Sequence, residues 1–150
     1  MREQEQIRNR SFNTIVVFMT ALMPILSCSI PSLEQPACND ARPLIREFYS
    51  FHFGNEMEIT PEGIRQRERF LSPQMKTLAA QAPEGSDPFT VGSGSLPRAF
   101  RVGSCRQTSE SRVEFDVLFF WKEEATTEQR PIKVELIKED GQWFVERVNN

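Results

Sequence analysis

The sequence predicts an α+β domain, in which a long N-terminal helix and two short helices pack on a curved antiparallel sheet of four or five strands. Three observations predict it. Leu44, Phe48 and Phe51 recur at helical spacing, two hydroxyl–proline pairs (Thr60-Pro61 and Ser72-Pro73) mark helix starts, and the last third alternates apolar and polar residues in strand-length runs. The chain has 150 residues, of which 39% are hydrophobic and 26% charged. That composition excludes a disordered tail and a membrane bundle. A net charge of -3 argues against a nucleic-acid partner, because phosphate binding needs clustered positive charge. Twelve Phe stand against one Tyr. Rings without a polar handle belong in a packed core or around an apolar cavity.

The first helix is expected near Asp40, capped by Asn39 or Asp40, with Pro43 in the first turn and Gly54 as the stop. Ile45 and Tyr49 widen its apolar stripe. Thr60-Pro61 opens a second helix carrying Ile64, Phe70 and Leu71; Ser72-Pro73 opens a third with Met75, Leu78 and Ala79 as its apolar side. Arg65 and Arg69 share a helix face and Arg67 does not; all three are expected to be solvated. Residues 83–97 read as a Gly-, Ser- and Pro-rich loop with a short strand at Phe89-Thr90-Val91. Gly92-Ser93-Gly94-Ser95 lacks the Lys-Ser or Lys-Thr of a phosphate loop and reads as flexible chain.

Ala99 to Arg106 is the first long strand, where Gly103 suits a bulge. Arg112 to Lys122 is the second, with Val113, Phe115, Val117, Phe119 and Trp121 on one face and Glu114 and Asp116 on the other. Leu118 and Phe120 interrupt the alternation, so that end is expected to be covered on both faces or to meet a partner. A polar turn at 123–129 leads to a strand over Pro131–Glu139 with Ile132, Val134 and Leu136 inward. Asp140-Gly141 then predicts a tight hairpin into a last strand carrying Trp143, Phe144, Val145 and Val148.

No charge occurs from Ser11 to Leu33, and Ile15–Leu26 is almost wholly apolar. The run is short of the roughly 20 residues that cross a bilayer and carries Pro24, which suits the apolar region of an export signal. It ends Ile25-Leu26-Ser27-Cys28 and there resembles a bacterial lipoprotein signal. The resemblance implies a signal peptide over 1–27, lipid attachment at Cys28, a tether over 28–39 and a single domain over 40–150. It places the protein on the periplasmic face of a bacterial cell envelope, and Ser29 in place of Asp implies the outer rather than the inner membrane. The alternatives are plain secretion and an uncleaved anchor in which Cys28 is incidental. Cys38 and Cys105 remain as an even pair. In an oxidising compartment they are expected to form one disulfide; two buried thiols are the other option.

Leu44-Ile45-Arg46-Glu47-Phe48-Tyr49 and Asp140-Gly141-Gln142-Trp143 give Ala41–Val148 a likeness to small exported domains of the nuclear transport factor 2-like, cystatin-like superfamily. The likeness implies a cone-like pocket between the long helix and the sheet, where enzymes of the superfamily place an Asp–His pair or a carboxylate with a Tyr. The residues of those types here are Tyr49, His52 and Asp116, with Arg101 a further candidate if the Gly103 bulge turns it inward. His52 is expected at the boundary of the apolar stripe. Arg98, Arg101, Arg106 and Arg112 flank the first long strand and suit an anionic ligand or lipid headgroups, although parity sets Arg101 opposite Phe100 and Val102. One His and three Cys leave little for a metal site, and no cofactor is expected. The functional expectation is a lipid-anchored, non-catalytic domain that binds an envelope protein or a small apolar ligand. One form of it is an immunity-type inhibitor with an interaction patch around Phe120-Trp121 and Glu123-Glu124. The alternative is a small pocket hydrolase or isomerase using His52 with Asp116 or Tyr49.

Overall fold

A computed structural model describes residues 34–55, 57, 60–83, 86–90, 92–93, 96–123 and 126–149. The expected signal segment and Cys28 lie outside these residues, as do Gly94 and Ser95 of the glycine–serine stretch. Helix α1 runs Pro36–Gly54, α2 Pro61–Arg67 and α3 Pro73–Ala80, with a 3-10 turn at Glu68–Phe70 between the last two. Two short strands, β1 (Ser86–Asp87) and β2 (Gly92–Ser93), pair with each other. The main sheet is an antiparallel meander in the order β3 (Ala99–Ser109), β4 (Arg112–Glu123), β5 (Thr126–Glu139) and β6 (Gln142–Asn149).

α1 begins four residues before Asp40, so 36–39 are helix and not tether. Pro36 occupies the first helical position, where its missing N–H costs nothing. The extra turn adds Cys38 to a buried stripe of Cys38, Ala41, Ile45, Phe48 and His52, at alternating three- and four-residue spacing. Packing of that stripe outweighs the local signals that favour a later start. Asp40 caps nothing; its carboxylate accepts bonds from Lys138 Nζ (2.7 Å) and Trp143 Nε1 (2.9 Å), tying the helix to the last hairpin. Pro43 therefore lies inside the helix, on its exposed side. The two short helices start where the hydroxyl–proline pairs predict. Thr60 Oγ1 accepts from Gly63 N and Ser72 Oγ from Met75 N.

The helices lie against one face of the sheet, with α1 on β3, β4 and β6 and α3 on β6. That face carries Val113, Phe115, Val117, Phe119, Trp121, Ile132, Val134, Leu136, Trp143 and Val145, all buried. Asp140 and Gly141 both have positive φ (48° and 81°), the hairpin geometry that Asp-Gly predicts. β4 runs on to Glu123 and β5 already begins at Thr126, so 126–129 are strand and not the polar turn the sequence suggests. Pro131 is tolerated within β5 because β6 ends opposite Lys133, so among the described residues that stretch pairs only with β4. Leu118 and Phe120 lie on the outer face, half-buried beside Pro131 and the β3 residues Arg101 and Ala99.

β3 does contain a bulge, between Val102 and Cys105. A Cβ at Gly103 would stand 3.0 Å from the Asp116 carbonyl oxygen, so a larger residue there would press on the β4 backbone, and glycine suits this close approach of the strands. The extra residue lets Val102 and Cys105, three apart, both face the helices. Cys105 is thereby brought to Cys38, and the two are joined in a disulfide with Cα atoms 5.9 Å apart.

Candidate functional site

The described interior holds six buried polar or charged residues, and four of them (His52, Arg67, Asp87 and Thr90) belong to one network. His52 is fully buried, one turn after Phe48, with its ring parallel to that of Phe48 and edge-on to Phe89 at 5.2 Å. Its Nε2 lies 2.9 Å from Asp87 Oδ2, and Arg67 Nε donates to its Nδ1 at 2.9 Å. An arginine Nε–H can only donate, so Nδ1 accepts and the imidazole proton sits on Nε2, pointing at Asp87. Asp87 is further saturated by Phe89 N (2.9 Å) and Thr90 Oγ1 (2.8 Å). The result is a continuous chain from guanidinium through imidazole to carboxylate, joining the end of α2 to α1 and to the turn after β1.

Arg67 is 1% exposed. Its Nη1 donates to Gly63 O, and its guanidinium stands 5.9 Å from the centre of the Phe51 ring. Burial pulls its pKa down and the charge of Asp87 partly restores it. Its Nη2 is buried and has no hydrogen-bond partner among the described residues. Beside it is a cleft of about 430 Å³ lined by Gly54, Asn55, Thr60, Glu62, Gly63, Gln66 and Arg67.

Tyr49 is buried next to this network and donates its hydroxyl to Phe89 O at 2.9 Å. Burial first, and then the negative charge of Asp87, push its pKa well above the ordinary value near 10. The folded chain thus holds this proton more tightly than the unfolded chain does. The stability gained is fully present below about pH 10 and is lost as pH rises from there through the folded pKa. Because Tyr49 is the single tyrosine, tyrosinate absorbance reads it directly. The expected titration is flat through pH 10, rising only together with loss of circular dichroism. An ordinary ionisation curve in a chain that is still folded would show the phenol to be open to water.

The residues predicted for a pocket fall into two groups. Tyr49 and His52 are inside, whereas Arg101 and Asp116 lie on the outer face of the sheet. Asp116 is bonded there to Ser104 Oγ and Lys133 Nζ, which hold its pKa below the usual range, so the carboxylate at His52 is Asp87 and not Asp116. The bulge follows Arg101 and leaves its outward parity unchanged. His52 is central to the buried stripe rather than at its boundary, since it falls four residues after Phe48. Among the arginines read as solvated, Arg67 is buried; Arg65 is exposed and paired with Glu62, and Arg69 pairs with Glu47 at 3.4 Å. Arg106 pairs with Glu114, and Arg112 with Glu135 and Glu146. Trp121 is buried, so it cannot form an exposed patch with Phe120, and Arg130 stands 4.7 Å from the centre of its ring. Glu34 lies close to both disulfide sulfurs, but sulfurs bonded to each other offer no thiolate, and Arg42 engages the carboxylate.

Sequence reasoning missed Asp87 and Arg67. A signal existed for each. Asp87-Pro88-Phe89-Thr90 is the spacing of an Asx turn, and Arg67 was already off the face shared by Arg65 and Arg69.

Fold and site together define, among the described residues, an α+β domain with three helices, an open four-stranded antiparallel sheet and a buried Arg–His–Asp chain that joins two of the helices to β1. No family model matches the chain, and no curated protein does. Among solved structures it is similar to a protein of unknown function from Bacteroides thetaiotaomicron, at 16% identity and TM-score 0.48, covering 75% of this chain and 90% of that one. It is also similar to a SEC-C motif containing protein from Rhodopseudomonas palustris, at 13% identity and TM-score 0.37, covering 75% and 89%.

Proposed function

We propose that the protein is a lipid-anchored domain of the bacterial cell envelope that binds a partner protein or a small ligand without transforming it. The observation that carries this reading is the pairing of cysteines. Of three in the chain, Cys38 and Cys105 are joined, which leaves Cys28 as the remaining thiol, at the end of the uncharged apolar stretch. Disulfides persist in exported proteins, and a thiol in that setting suits acylation. No helix among the described residues is long and apolar enough to cross a membrane. With it goes the finer architectural reading, a cone-like domain of the nuclear transport factor 2-like superfamily, which one-sided packing of the helices supports.

Binding is favoured over catalysis by the state of His52. Acid–base work needs a ring nitrogen within reach of a substrate. Here Nδ1 is engaged by Arg67 and Nε2 by Asp87, and the ring has no exposed surface. The imidazole acts as a strut between two charges.

In a bacterial host fed labelled palmitate, the full chain is expected to take up label and Cys28→Ser to take up none. Label that persists in Cys28→Ser, or an unmodified product with its initial Met intact, would overturn the anchor.

A further inference from the structure

We propose that the outer sheet face at the start of β3 rests on an anionic lipid bilayer, with Arg98 and Arg101 on lipid phosphates and Leu118, Phe120 and Pro131 at the acyl boundary. The inference rests on the lipid anchor proposed above and adds which surface of the domain meets the membrane. Charge is the first support. From Leu96 to Ser109 the chain carries Arg98, Arg101 and Arg106 and no acidic residue, in a protein of net charge -3. Arg106 pairs with Glu114, but Arg98 and Arg101 are exposed and neither has an acidic partner among the described residues. Arg101 stands opposite Leu118, Leu118 opposite Pro131 on β5, and Ala99 opposite Phe120. Guanidinium groups beside half-buried apolar side chains are what an interfacial surface uses: phosphate takes the fork and the acyl boundary takes the apolar atoms. The hairpin tips at the other end of the sheet carry Glu110, Glu139 and Asp140, all exposed, which an anionic surface repels.

The path of the chain is the second support. Glu34 is held by Arg42, whose Nη1 donates to Gly103 O at 3.0 Å, and Gln35 Oε1 accepts from Gln107 N at 2.6 Å. The described chain therefore begins beside β3, an edge strand of the sheet. Residues 29–33 separate Cys28 from Glu34, and fully extended that stretch spans about 20 Å. An acylated Cys28 thus keeps the bilayer surface within about 20 Å of Glu34. Arg101 lies two residues from Gly103, about 7 Å along the strand. β6, the opposite edge, is three strand spacings farther off, about 14 Å. Anchor and arginines therefore belong to the same edge of the sheet.

The test places a photo-crosslinking benzoylphenylalanine at one of two exposed positions on the outer face. One replaces Gln129, opposite Phe120; the other replaces Gln142, at the far edge and beside a hairpin tip. The full chain is expressed in a bacterial host, and the product is purified from its membranes. It is reconstituted into vesicles of phosphatidylcholine, alone or in equal parts with phosphatidylglycerol. Mass spectrometry then reads both the acyl group and any lipid adduct. With phosphatidylglycerol present, the probe at 129 is expected to form lipid adducts and the probe at 142 none. Arg98→Gln combined with Arg101→Gln should lower the yield about fivefold or more, as should omission of phosphatidylglycerol. Both arginines are exposed, so the variant should melt within about 4 °C of the parent. An acylated chain that gives no adduct at 129, gives equal yields from both probes, or is indifferent to the arginines or to phosphatidylglycerol overturns this proposal and leaves the anchor standing. A product with Cys28 unmodified overturns the anchor and this proposal together.

Discussion

Asp87→Ala is expected to lower the unfolding free energy by about 3–5 kcal/mol. The substitution removes the one carboxylate of the buried chain and leaves four groups without their partner. The guanidinium of Arg67 loses its counter-charge, and the donors His52 Nε2, Thr90 Oγ1 and Phe89 N lose their acceptor. Each is buried, so water cannot replace what is lost. Asp116→Ala is the matched control. Its carboxylate also makes two side-chain bonds, to Ser104 and Lys133, but it is half-exposed on the outer sheet face. Its loss should cost less than about 1 kcal/mol. Urea denaturation of the two variants separates the cases. Equal midpoints would mean that the network is open to solvent and holds nothing together.

The second large effect is that of Cys105→Ser, expected to cost about 4 kcal/mol. The bond spans 67 residues of sequence, and a crosslink over a loop of that length removes much of the freedom of the unfolded chain. Locally it also holds the first turn of α1 against β3. Cys38→Ser should match Cys105→Ser, and the double variant should be no worse than either, since each removes the same link. A parent chain whose urea midpoint is unmoved by reductant would refute the expectation.

Much of the fold was legible because the relevant physics is local. Thr60-Pro61 and Ser72-Pro73 declare their helices through a hydroxyl cap and a preset φ. Asp140-Gly141 declares its turn because few residues adopt two successive left-handed conformations. Strand β4 was legible through its alternation. The start of α1 was not, because the deciding interactions, Asp40 with Lys138 and Trp143 and Cys38 with Cys105, join residues 67 to 103 positions apart. Nor was the partner of His52. Asp87 ends the two-residue strand β1, in a stretch of no periodic pattern 35 residues away, and its orientation there is set by the side chain it meets.

By itself the sequence determined the α+β class, the starts of α2 and α3, the hairpin, the face of β4 that packs inward and the bulge at Gly103, since each follows from backbone sterics and the period of apolar residues. Only the tertiary structure decided which carboxylate meets His52, that Arg67 is buried with an open donor pair, and that Arg101 and Asp116 lie on the far side of the sheet. Those outcomes depend on which distant segments pack together, and burial of apolar surface, which drives that packing, is blind to the polar groups it carries inside.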